Sequence, residues 1–149
     1  MITLTRTLSD DLANADMPTL TLTSQQRTHS RLRAHLDTGE DVGINLPRGS
    51  SIQPQDVLES EDGFRVRVLA ASEPVSACVC DDDLLFARAC YHLGNRHVPL
   101  QINPSRLVYS RDHVLDDMLE GLGLRVQHGD EPFEPEAGAY GGGHHHGHD

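Results

Sequence analysis

The chain has 149 residues, a formal net charge of −11, and twelve basic residues that are all arginine. Such a surface repels polyanions, which argues against nucleic acid and anionic membranes as partners and raises the local concentration of cations instead. Apolar residues make up only 37%, and no apolar run is long enough to cross a bilayer.

The opening "MITLTRTLSDD" lacks the basic and apolar regions of a secretory signal. The three cysteines, Cys78, Cys80 and Cys90, are too few and too odd in number for a disulfide framework, so a reducing cytoplasm is expected. Residues 1–72 read as an N-terminal all-β domain. "LTLT", "RLRAHLD", "VGINLP" and "FRVRVLA" alternate or are β-rich, and "DTGED", "RGSSIQPQD" and "SEDG" separate them as turns. A small sandwich or folded-over sheet should result, with at most one helical turn at "SDDLANA" and a junction at "ASEP".

Residues 73–133 change pattern. "VSACVC" reads as a strand, and "DDDLLFARACYHLGN" as a helix capped by aspartate, with Leu85, Phe86, Ala89, Cys90 and Leu93 inward and Gly94 at its end. "VPLQI" and "RLVYS" form two strands about a turn at 103–105. "RDHVLDDMLEGLG" is a second amphipathic helix capped by Asp112, with Val114, Leu115, Met118, Leu119 and Leu122 inward, and "LRVQH" closes as a fourth strand. The order βαββαβ predicts a ferredoxin-like domain, making the whole chain α+β. After Gly129 a Pro/Gly/Glu segment carries no structural pattern, and 134–149 is expected to be a flexible acidic, Gly- and His-containing tail.

Chemistry concentrates in the histidines. In a βαββαβ unit the end of the first helix and the start of the second lie at one end of the sheet, which places His97 and His113 together. Pairing Ile102 with Arg106 would extend to put His97 opposite Arg111. The tail ends "GGGHHHGHD", a run interrupted by Gly147 and followed by Asp149, unlike an appended purification tag. Its His144, His145, His146 and His148 have few structural uses, and a flexible segment of about 15 residues spans ~20 Å, enough to reach the same pole. Neutral imidazole suits nickel, zinc and copper. His29, His35, His92 and His128 share no ligand spacing and read as incidental. The cysteines read as small buried apolar residues, since no second pair completes a tetrahedral zinc site. The acidic groups "DDD" at 81–83 and "LDDM" at 115–118 read as caps and a solvated helix face rather than paired catalytic carboxylates. No nucleophile–base pair or phosphate loop is visible.

The block "RACYHLGNRHVPLQI", followed by "HVLDDML" and "PFEPEAGAY" before a histidine tail, and "LPRG" at 46–49, resembles the UreE family of urease accessory proteins, over the whole chain. The resemblance implies a non-enzymatic nickel metallochaperone. It has an N-terminal peptide-binding β domain and a C-terminal metal-binding and dimerisation domain. It implies that His97 is the main nickel ligand, shared by two subunits of a homodimer, that His113 is an additional ligand, and that the tail histidines collect further metal. Members carrying that peripheral site have a histidine two positions earlier, where this chain has Arg111, a permanent cation that cannot ligate. The implied partners are a second copy, with tetramers when metal is bound, urease apoprotein, and other urease accessory proteins including the GTPase. Ligand type alone leaves Zn2+ or Cu2+ open beside Ni2+. A histidine-based nickel or zinc store, working through the tail alone, is the competing reading.

Overall fold

Six short strands with apolar residues turned to one side build the N-terminal part of the computed structural model, which describes residues 1–8 and 16–137. They are β1 (Ile2–Leu8), β2 (Thr19–Leu22), β3 (Arg31–His35), β4 (Asp41–Asn45), β5 (Val57–Ser60) and β6 (Arg65–Ala70), in the sheet order β2-β6-β5-β1-β4-β3. The pairs β1–β4 and β2–β6 are parallel and the other pairs antiparallel. The sheet folds over on itself. Just beyond β3, the Asp37 amide donates to the Thr19 carbonyl at 3.0 Å, and the Thr19 and Thr21 hydroxyls donate to the Asp37 carboxylate at 2.6 and 2.8 Å. Leu4, Leu20, Leu22, Val42, Ile44, Leu58, Val66 and Val68 fill the interior so enclosed.

Two strands here escape a reading by alternation. In β1 the register slips between Leu4 and Arg6, which breaks the period-two pattern. In β5 all four residues are buried, so there is no pattern to read. A one-turn helix, α1 (Ser24–Arg27), also appears where none was expected, held by a capping box between Thr23 and Gln26. The turn expected at "SDDLANA" lies outside the described residues.

The chain separates into two compact units, Met1–Ala71 and Ser72–Glu136. The second contains β7 (Ser72–Val79), α2 (Asp83–Asn95), β8 (Gln101–Asn103), β9 (Arg106–Ser110), α3 (His113–Gly121) and β10 (Val126–Pro132). This is the βαββαβ order, in an antiparallel sheet β10-β7-β9-β8. Asp82 caps α2 by accepting from the Leu85 amide at 3.0 Å, and Asp112 caps α3 by accepting from Val114 and Leu115 at 2.9 and 3.2 Å. Leu85, Phe86, Ala89, Cys90 and Leu93 of α2 pack over Cys78, Leu107 and Tyr109 of the sheet and Cys80 just beyond β7, with Leu115 and Leu119 of α3. The cysteines are free, and burial pushes the Cys78 and Cys90 thiols up from their ordinary range.

Three details differ from the sequence reading. The hairpin turn is two residues long, with Asn103 opposite Arg106 and Ile102 opposite Leu107, one residue out from the inferred register. Pro104 fixes its own φ and Ser105 takes φ 58°, which closes the tighter turn. Because Pro99 has no N–H to donate and β8 begins only at Gln101, the ladder does not extend to a pairing of His97 with Arg111. Second, α3 is rotated: Val114 is exposed while Asp116 is buried. Third, structure continues past Gly129. β10 runs to Pro132, Phe133 is buried against Val75, Ala77 and Val108, and Arg106 forms a two-pronged bond to Glu131 at 2.7 and 3.0 Å. The Glu134 amide then donates to Gln101 Oε1 at 2.9 Å and the Glu136 amide to the Leu100 carbonyl at 2.8 Å, so these two residues follow β8 rather than leaving as a free tail.

Candidate metal centre

His97 owes its position to how α2 ends. The helix runs through Gly94 to Asn95 and is capped at Arg96, so Gly94 does not occupy the left-handed position that usually closes a helix. His97 does, at φ 59°, with its amide donating to the Gly94 carbonyl at 3.0 Å. Glycine is the usual occupant, because a side chain in left-handed backbone costs on the order of 1–2 kcal/mol. Here the position carries an exposed imidazole instead. Backbone strain of this kind gathers at functional sites.

His113 is the first residue of α3, exposed and directly after the Asp112 cap. The antiparallel pairings put the start of β8, the end of β9 and the end of β10 at one end of the sheet. The chain enters β8 from α2 and leaves β9 for α3 there, so His97 and His113 belong to the same end. Among the described residues, no three or more His, Cys, Asp or Glu side chains come close enough to hold a metal ion. One chain therefore offers single imidazoles rather than a closed site among these residues. His144, His145, His146 and His148 lie outside the described residues.

One side of α2 that leads to His97 is apolar and uncovered. Leu84, Ala87, Tyr91 and Gly94 recur at helical spacing and are all exposed, with Leu84 at 60% and Tyr91 at 67%. Tyr91 also meets His92 edge-on, ring centres 5.3 Å apart. In the first unit, an open groove of about 1150 Å³ is lined by Thr3, Asn45, Glu40, Asp41, Glu61 and Asp62.

Two residues set aside in the sequence reading prove to be structured. The Asp116 carboxylate, part of the supposed solvated face, is 7% exposed. Its Oδ1 accepts from the Tyr109 hydroxyl at 2.6 Å and its Oδ2 lies 2.7 Å from His128 Nε2, so His128 is not incidental. Burial by itself would raise the Asp116 pKa. The bonds from Tyr109 and His128, with a smaller contribution from the neighbouring Ser76, outweigh it and hold the carboxyl below its ordinary range. Burial and the adjacent carboxylate push the Tyr109 hydroxyl well up, so it stays a donor. The signal in the sequence was slight: Asp116 is three residues before the buried Leu119 and so shares its side of the helix, whereas Asp117 faces out.

Residues 3–71 match the model of the UreE urease accessory protein N-terminal domain, and residues 73–149 that of its C-terminal domain. Proteins called urease accessory protein UreE are similar along most of their length. One from Alkalilimnicola ehrlichii is 56% identical over 142 residues, covering 95% of this chain and 86% of the relative. One from Pseudomonas putida is 54% identical over 141 residues, covering 94% and 86%. One from Aliivibrio fischeri is 50% identical over 140 residues, covering 89% and 86%.

Proposed function

Since this chain belongs to the UreE family of urease accessory proteins, and so to urease maturation rather than to catalysis, we propose that it is the carrier that delivers Ni2+ for assembly of the urease active site. The observation that carries this reading is His97, an exposed imidazole kept in left-handed backbone at the end of α2.

Two copies meeting along the apolar side of α2 would bring two His97 imidazoles to one ion at a homodimer interface. The uncovered Leu84 and Tyr91 favour such a face, because contiguous exposed apolar surface marks interaction sites. With one ligand per subunit, water or tail histidines (His144, His145, His146 and His148) complete the shell. Ligands of that kind exchange readily, as a carrier's must, unlike those of a closed four-cysteine site. His113 serves as a further ligand at the same end of the sheet. Zn2+ and Cu2+ compete for the same imidazoles, since affinities of nitrogen ligands differ by metal but exclude none of the three. Loaded dimers associate into tetramers around shared metal. The first unit, with its open groove, engages partners in the cytoplasm, namely urease apoprotein and the accessory proteins including the GTPase.

Nickel titration calorimetry coupled to light scattering tests this on the intact chain, a His97→Ala variant and a chain lacking 144–149. The carrier reading expects His97→Ala to lose one tight Ni2+ per dimer with the fold unchanged, and the shortened chain to keep it. Metal and dimer should also stabilise each other, because only the pair offers both ligands. Loss of nearly all binding on removing the tail, with no effect of His97→Ala, would make the chain a metal store instead.

A further inference from the structure

We propose that Asp116, gripped between Tyr109 and His128, is the positioning residue that fixes α3 on the sheet and thereby holds His113 at its end. Three elements meet at this carboxylate. Tyr109 comes from β9, His128 from β10, and Asp116 itself from the middle of α3. The two partners stand in one row across the sheet, because Ser76 of β7 is paired with Tyr109 on one side and His128 on the other. Asp116 therefore bridges the strands that flank β7, with one oxygen committed to each.

α3 needs such a fixture. It has nine residues, too few to be stable by its own hydrogen bonds, so tertiary contacts decide where it lies. Its buried apolar anchors are Leu115 and Leu119, with Met118 partly buried beside them, and Val114 is turned to solvent. Apolar contacts are non-directional and allow a short helix to slide or roll. Two directional bonds, one to each oxygen, do not. β10 is an edge strand held in the ladder by β7 alone, so the bond from His128 also ties that edge to the helix. Three well-packed apolar residues in place of Asp116, Tyr109 and His128 would fill the space as well, and replacing a whole buried polar group this way is often neutral for stability. The polar grip is thus explained by position. Asp116 lies one turn after His113, so any roll of α3 moves that imidazole directly.

The functional half of this inference rests on reading His113 as a metal ligand; the mechanical half does not. The full-length protein is compared as wild type, Tyr109→Phe, His128→Ala, His128→Gln and His113→Ala. Amide hydrogen exchange reads the mechanical half. Each single loss of a bond should accelerate exchange across 115–121 by about tenfold, the scale of one hydrogen bond, while α2 is unaffected. His128→Gln, which restores a donor, should recover most of the protection. Nickel titration reads the functional half. The tight step that His97 provides should be unchanged, and the weaker step abolished by His113→Ala should weaken several-fold in Tyr109→Phe and His128→Ala. Unchanged exchange in α3, equal acceleration in α2 and α3, or no rescue by glutamine would overturn the positioning role. If His113→Ala leaves nickel binding as it was, the ligand reading of His113 fails, and the exchange data still decide whether Asp116 holds the helix.

Discussion

Each unit of this chain buries a carboxylate, and the two are satisfied by different chemistry. Glu59 in β5 is 5% exposed and is met from both neighbouring strands by guanidinium groups, Arg6 at 2.6 Å and Arg65 at 2.7 Å. Arginine stays charged at any pH the protein meets, so this grip yields only when Glu59 itself takes up a proton, and it lies within one sheet. Asp116 is met by a phenol and an imidazole, and it joins a helix to a sheet. The first arrangement cements strands that have no reason to move. The second sets the placement of a short helix with an exposed histidine at its tip, through partners that are individually weaker. That contrast fits the roles proposed above, a first unit that offers a surface and a second that handles an ion.

The contrast breaks most forcefully at Glu59. Glu59→Ala removes the buried carboxylate between two half-exposed cations and leaves them facing each other, and the melting temperature should fall furthest in this variant. Asp116→Leu, which removes a buried anion and strands one phenol and a half-exposed imidazole, should cost less, about 1–3 kcal/mol for the stranded donors. If thermal melts reverse that order, the assignment of a firmer cement and a lighter fixture is wrong.

Acid sharpens the same point with a smaller effect. Arg65 and Arg6 hold the Glu59 carboxyl below its ordinary range, Arg106 does so for Glu131, and Tyr109 and His128 do so for Asp116 against the opposing effect of burial. A lowered folded-state pKa means the stability is fully present above the unfolded value, near 4, and drains away as pH falls through the folded one. Melting temperatures should therefore be flat from neutral pH down to about 5 and drop below about 4. Glu59→Gln should flatten that acid limb, and an unaltered limb would contradict the role given to Glu59. The smallest change expected is at the hairpin. Ser105→Gly relieves its φ of 58° and should raise stability by up to about 1 kcal/mol in a denaturant melt, with metal binding untouched.

Much of the second unit was legible because its signals are local. Asp82 and Asp112 announce helix starts, and the apolar spacing of α2 names its buried side correctly. What escaped was set by distant partners. Val57 to Ser60 looks unlike a strand until Arg6 and Arg65 are seen to satisfy Glu59. Asp116 reads as solvated because its partners lie 7 and 12 residues away, on two other elements. Phe133, Glu134 and Glu136 sit in a Pro/Glu-rich stretch whose composition suggests no structure, yet one apolar face and two acceptors on the β8 segment capture them. The site was half legible. His97 could be singled out as a residue, but its left-handed backbone depends on where α2 ends, and the sequence pointed to Gly94.

The carrier reading turns on an imidazole kept at a position where glycine would be more comfortable. His97→Gly, studied by thermal unfolding of the metal-free protein and by nickel titration of the same preparation, tests that most directly. Relief of the backbone should raise stability by roughly 1 kcal/mol while the tight nickel step disappears. A variant that is no more stable than wild type, or that still binds nickel tightly, would contradict it.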